Sequence, residues 1–188
     1  LLFAAFPETS VDDACDAVYA SATPIVDSAN DRSKASGSHG ALNATGALCY
    51  LKAWQFTDMP RNHWSCESVG YAALEGIVNG YADGSGAFGV EAPVTREQAA
   101  CMLYNYLGDG ASAPAAPQGD VDQNQWYAGG VNWAVATGAM NGYSASDFGV
   151  SDRLTREQAA CILANVSHAD VDAADPAKFN GLKGTAQA

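Results

Sequence analysis

The feature that most constrains this chain is an internal repeat. The segment Trp64 to Tyr81 returns as Trp126 to Tyr143, with seven of eighteen positions identical at an offset of 62. The shared positions are Trp64/Trp126, Val69/Val131, Ala72/Ala134, Gly76/Gly138, Asn79/Asn141, Gly80/Gly142 and Tyr81/Tyr143. Past Tyr81 the second copy is two residues shorter, and the offset becomes 60. Phe88-Gly89-Val90 then matches Phe148-Gly149-Val150, and Thr95 to Cys101 matches Thr155 to Cys161 without a change. The length difference falls in Ala82-Asp83-Gly84-Ser85-Gly86-Ala87, which predicts a loop there, since loops tolerate insertions that helices do not. A duplication at this spacing predicts stacked supersecondary units that bury their apolar faces against one another.

Each copy reads as helix, loop, helix. Val69, Ala72, Ala73 and Ile77 recur at spacings of three and four, which predicts one buried helical face. Gly76 and Gly80 punctuate its end, as Gly138 and Gly142 do in the second copy. The second helix is predicted to start at Thr95, where Thr95 and Gln98 form a capping box: the hydroxyl takes an orphan amide and the glutamine reaches back. Ala99, Met102, Leu103 and Tyr106 supply its apolar stripe. Thr155, Gln158, Ala159, Ile162 and Leu163 repeat the device.

These elements divide the chain into an N-terminal segment at 1–55, a first repeat at 56–108 and a proline-marked linker at 109–118. A second repeat follows at 119–166, and 167–188 reads as the truncated start of another, because Val171-Asp172 echoes Val121-Asp122. Residues 11–30 predict a helix broken near Pro24, and 31–42 a Ser/Gly-rich loop. Asn43 stands where Thr95 stands and Cys49 where Cys101 stands, but Ala44 holds the arginine position. Residues 1–55 are therefore either a degenerate repeat or an unrelated cap. The apolar opening Leu1 to Phe6 reads either as the remnant of an export signal or as a buried segment.

The composition sets limits on function. Nine Lys and Arg oppose twenty-one Asp and Glu, a net charge of −12. That balance argues against nucleic-acid binding, which needs clustered basic residues. No stretch has the length of uncharged apolar residues that a membrane helix needs. His39, His63 and His168 lie far apart with no metal-ligand spacing, and no nucleophile motif accompanies them. Asp83 to Gly86 lacks the ligand series of a calcium loop and reads as a turn. Five cysteines are an odd number, with Cys15 and Cys49 the most plausible bridge and Cys101 and Cys161 expected as buried thiols.

The ordered pattern Phe56-Thr-Asp58, Trp64, Gly76-Ile-Val-Asn-Gly80-Tyr81, Phe88, Pro93-Val-Thr95-Arg96-Glu97-Gln98 resembles the S-layer homology (SLH) repeat. The second copy fits from Asp120-Val-Asp122 and Trp126 through Thr155-Arg156-Glu157-Gln158. It lacks the Asp-Gly of the Tyr81 loop and has Arg153 in place of Pro93. The resemblance implies a mainly α fold of helix-loop-helix repeats around a pseudo-symmetric axis, in a family that usually works as a set of three. It implies a non-catalytic, extracellular wall-anchoring module without a cofactor. Its partner would be an anionic, often pyruvylated, secondary cell-wall polysaccharide. Carried over to this chain, the ligand contacts fall on Arg96 and Arg156, with Gly80, Gly142, Trp64 and Trp126 as further candidates. A rival reading is a structural subunit of a homo-oligomer or larger surface lattice.

Independently of the family, residues 56–166 contain no lysine and only Arg61, Arg96, Arg153 and Arg156, against twelve acids. Screening limits the long-range repulsion of an anion to about 8 Å at physiological salt, so any binding has to be local. Arg96 and Arg156 are predicted one residue inside a helix start, where free amides and the helix dipole favour an anion. A guanidinium grips a carboxylate through two parallel hydrogen bonds. Each candidate also has a plainer reading: the arginines as surface charges or ion-pair partners, the tryptophans as core or staple residues, the glycines as backbone-geometry residues.

Overall fold

The computed structural model describes residues 1–23 and 40–167. Most of the predicted break near Pro24, most of the Ser/Gly-rich segment and almost all of the truncated repeat at 167–188 lie outside the described residues. Among the described residues seven helices run in order: α1 Leu2–Ala5, α2 Val11–Ser21, α3 Ala44–Ala53, α4 Cys66–Leu74, α5 Arg96–Leu107, α6 Ala128–Ala136 and α7 Arg156–Val166. Among the described residues the β pairing consists of two isolated bridges, Thr23 with Ala41 and Thr95 with Arg153. The fold is mainly α.

Local chemistry sets the helix starts. The Ser10 hydroxyl accepts the Asp13 amide at 3.0 Å, and the Asn43 side chain accepts the Gly46 amide at 2.8 Å. At α7 the capping box is complete, with Thr155 accepting from the Gln158 amide and Gln158 accepting from the Thr155 amide. At α5 only the return bond forms, from the Thr95 amide to Gln98 at 3.0 Å. The Thr95 hydroxyl is buried without a hydrogen-bond partner, while the Arg96 amide bonds the Asp152 carbonyl at 2.9 Å. The box expected at Thr95 is thus half made.

The chain forms two compact units, Leu1–Ala92 with Asn105–Gly110, and Pro93–Tyr104 with Ala111 onward. In the first, α3 packs against α1, α2 and α4. Ala17, Ala47 and Leu51 form one core cluster, and Ala53, Met59 and Cys66 form another, covered by Phe56, Phe88 and Val90. The close approach of α3 and α4 rests on Gly70, where any Cβ would overlap the Cys49 carbonyl. In the second unit, Ala99, Ala100, Val131, Trp133, Ala134, Met140, Phe148 and Ile162 belong to a single buried cluster. There Gly130 plays the spacing role, since a Cβ on it would lie 2.8 Å from Cys101 Cα. The second unit therefore joins the second helix of the first repeat to the first helix of the second. Asn43 and α3 stand to α4 as Thr95 and α5 stand to α6.

Three expectations are corrected. All five cysteines are free, with Cys15 exposed and Cys49 buried, so the expected bridge between them is not formed. Cys161 is exposed, because the inward face of α7 is carried by its neighbour Ile162. The apolar stripe of the first helix is also shorter than its spacing implied. That helix ends at Leu74, and Gly76 follows in the left-handed region at φ 70°, so Ile77 lies beyond the last turn.

Candidate functional site

Both repeats build the same loop after their first helix, and one aspartate holds each in shape. Asp58 accepts the amides of Phe88, Gly89 and Val90 at 2.7, 2.7 and 3.2 Å. Asp120 accepts those of Phe148, Gly149 and Val150 at 2.8, 2.9 and 2.9 Å. Burial pushes both carboxyls up, but three amide donors apiece pull them below the ordinary carboxylate range. A second duplicated tie fastens the later helix: Asn105 donates to the Ile77 carbonyl at 3.1 Å, and Asn165 to the Ala139 carbonyl at 3.4 Å. Sequence reasoning assigned no role to these four residues. The signal was available, because Asp58/Asp120 and Asn105/Asn165 recur at the repeat offsets of 62 and 60.

In the second unit the loop closes on Arg96. Its Nε donates to the Phe148 carbonyl at 2.8 Å and Nη2 to the Asn141 carbonyl at 2.6 Å. The Tyr143 and Phe148 rings flank the guanidinium, with centroids 4.4 and 4.9 Å from Cζ. Gly142 lets the loop turn this tightly, since a Cβ there would lie 2.5 Å from the Asp147 carbonyl oxygen. The neighbouring Glu97 is buried and accepts the Ser151 amide at 2.9 Å. Arg96 is only 4% exposed, yet no carboxylate among the described residues pairs with it. The described ion pairs join Arg61 to Asp13 and Asp16, and His63 to Glu91.

Arg96 lines an open recess of about 200 Å³ together with Met140, Asn141, Gln158, Cys161, Asn165 and the carboxylate-bearing Glu157. Backbone carbonyls occupy the Nε and Nη2 edge of its fork. Nη1 makes no hydrogen bond and is not sealed from solvent, which leaves the end of the fork for a ligand. Gln158 reaches the same place and donates to the Tyr143 hydroxyl at 3.3 Å.

The other sequence candidates do not line this recess. Arg156 is exposed at the start of α7 and makes no hydrogen bond or ion pair among the described residues. Trp64 and Trp126 are 86% and 66% exposed, which corrects the core or staple reading of both. Trp126 leans its ring edge-on against Tyr127, with centroids 5.5 Å apart. Gly80, in the first unit, has φ 71° and would place a Cβ 2.7 Å from the Ala87 carbonyl oxygen. It serves the backbone geometry of its loop, as Gly142 does.

Tandem helix-loop-helix repeats, each with an aspartate-clamped loop and an arginine at the second helix start, define a class of helical repeat module. The repeats are S-layer homology domains: that family's profile matches residues 55–100 and 119–160. The chain is 27% identical over 130 residues to the S-layer protein sap of Bacillus anthracis, covering 68% of this chain and 16% of that protein. The S-layer protein of Bacillus thuringiensis subsp. finitimus matches to the same extent. The outer membrane protein SlpA of Thermus thermophilus is 42% identical over 53 residues, which is 28% of this chain and 6% of that protein. The chain thus spans about a sixth of the length of the Bacillus relatives. No solved structure matches it significantly.

Proposed function

We propose that this chain is a non-catalytic anchoring module of the cell surface, and that the Arg96 recess receives a carboxylate of an acidic wall glycan. The observation that carries this reading is a nearly buried guanidinium, without a carboxylate partner among the described residues, at the wall of an open recess that Glu157 also lines without pairing to it. Removing a charge from water is costly unless a counter-charge or several hydrogen bonds replace the solvent. Two carbonyls and two aromatic faces meet part of that need, and an anion entering the recess meets the rest. A ketal-linked pyruvate on a sugar has the size and planarity to take the end of the fork. Asn141, Gln158 and Asn165 offer hydrogen bonds to sugar hydroxyls at the same mouth. The exposed Trp64 and Trp126 are flat platforms suited to sugar rings elsewhere on the polymer. Family membership and the S-layer relatives support the surface location and the anchoring role.

The test is retention of purified wall polymer by the whole chain and its variants. Cys161→Phe fills the recess from an exposed position and leaves the core untouched. It is expected to reduce retention at least tenfold with an unchanged circular-dichroism melt. Arg156→Ala, outside the recess, is expected to retain polymer as the wild type does. Polymer stripped of its pyruvyl groups should bind the wild type as weakly as intact polymer binds Cys161→Phe. Undiminished retention by Cys161→Phe would remove the recess from the mechanism.

A further inference from the structure

The two loops are built alike, but only one of them holds an arginine. In the second unit the carbonyls of Asn141 and Phe148 receive Arg96 from the start of α5. In the first unit the matching carbonyls, those of Asn79 and Phe88, receive no hydrogen bond among the described residues. The residue one step inside the matching helix, α3, is Ala44, which is too short to reach them. The rest of the cradle is present. Asp58 clamps the Phe88 to Val90 amides as Asp120 clamps its own. The Tyr81 ring lies over Gly89 as the Tyr143 ring lies over Gly149. The two extra residues fall within the exposed tip, and the loop still closes through the Tyr81 amide and the Ala87 carbonyl at 2.9 Å.

Arg156 is the reciprocal feature. It occupies on α7 the place Arg96 occupies on α5, it is exposed, and it has no partner among the described residues. Charge favours an arginine at the loop, because residues 79–91 carry Asp83 and Glu91 and no basic side chain; around Arg156, Asp152 and Glu157 balance Arg153 and Arg156 itself. We infer that the loop 79–88 is a guanidinium receptor, and that its occupant is Arg156 of a second copy of this chain. The contact repeats between chains what Arg96 makes within one. Each chain carries one knob and one cradle, so the contact either closes into a dimer or ring or runs on as an open chain. This inference is independent of the Arg96 recess and of any glycan.

Complementary variants test it. Arg156→Ala removes the knob and keeps the Thr155–Gln158 capping box. Ala44→Arg supplies the first loop with an arginine from its own helix, at a position where arginine is a good helix former. Sedimentation velocity across a concentration series should show the wild-type mass rising with concentration, while each variant alone stays at the mass of one chain. An equimolar mixture of the two variants should form a dimer and nothing larger, since only one knob and one cradle remain competent. Ala44→Arg should also melt at a higher temperature than the wild type, because its own guanidinium fills the cradle. A wild type that keeps the mass of one chain at every concentration would overturn the inference. So would variants that associate as the wild type does, or a mixture that fails to pair.

Discussion

At the scale of the residue, the chemistry of this chain turns on how few partners its charged groups have and how specific those partners are. Asp58 and Asp120 illustrate this on the acidic side. Each receives three backbone amides, which hold the carboxyl below its ordinary range despite the opposing effect of burial. In the unfolded chain those amides are lost and the carboxyls titrate near pH 4. Below that pH the unfolded state binds more protons than the folded one, so stability rises with pH there. The contribution of the clamps is present above about pH 4 and drains away as the pH falls through the lower folded values. Asp120→Asn is therefore expected to lower stability at neutral pH by about 1–2 kcal/mol, the scale of a lost helix cap. It should also flatten the acid limb of the stability curve, and denaturant titrations over a pH series check both effects. Cys101 is pushed up to about 11, first by burial and then by the charge of Glu97, so it stays a neutral packing residue at physiological pH.

At the scale of the element, small residues let helices approach, and loops hold themselves in shape through backbone hydrogen bonds. Gly70 lies against the Cys49 backbone, so Gly70→Ala must force α3 and α4 apart. A cost of about 1–3 kcal/mol is expected, as for other overpacked cores. Gly129→Ala, with nothing within 4 Å of its Cβ position, should be neutral or slightly stabilising. Thermal melts of the two variants make the comparison. Much of this level was legible in the sequence. The unchanged Thr155 to Cys161 heptapeptide marked the start of α7, and the length difference after Tyr81 marked a loop. What could not be read was which helix a given helix packs against. Periodicity identifies an apolar face but not the face it meets, so α5 was paired in sequence with α4, whereas its first turns share a core with α6. The exposure of Trp64 and Trp126 was hidden for the same reason, because an aromatic ring beside a helix start is equally compatible with either side of it.

At the scale of the whole molecule, a net charge of −12 sets the terms on which an acidic polymer can be recognised. Long-range attraction is absent, so affinity must come from a contact made inside about one screening length. Sequence identified the residues for such a contact but treated Arg96 and Arg156 as equivalents. Identical heptapeptides gave them the same local setting, and only the tertiary neighbours separate them: Arg96 has a loop folded over it, whereas Arg156 stands in solvent. The most direct test of the account is to watch the Arg96 guanidinium itself. Side-chain nitrogen NMR of the full chain, titrated with the acidic wall polymer, should shift and slow the exchange of the Arg96 Nη protons in step with binding. Arg96 signals that stay unchanged at a saturating polymer concentration would contradict the account.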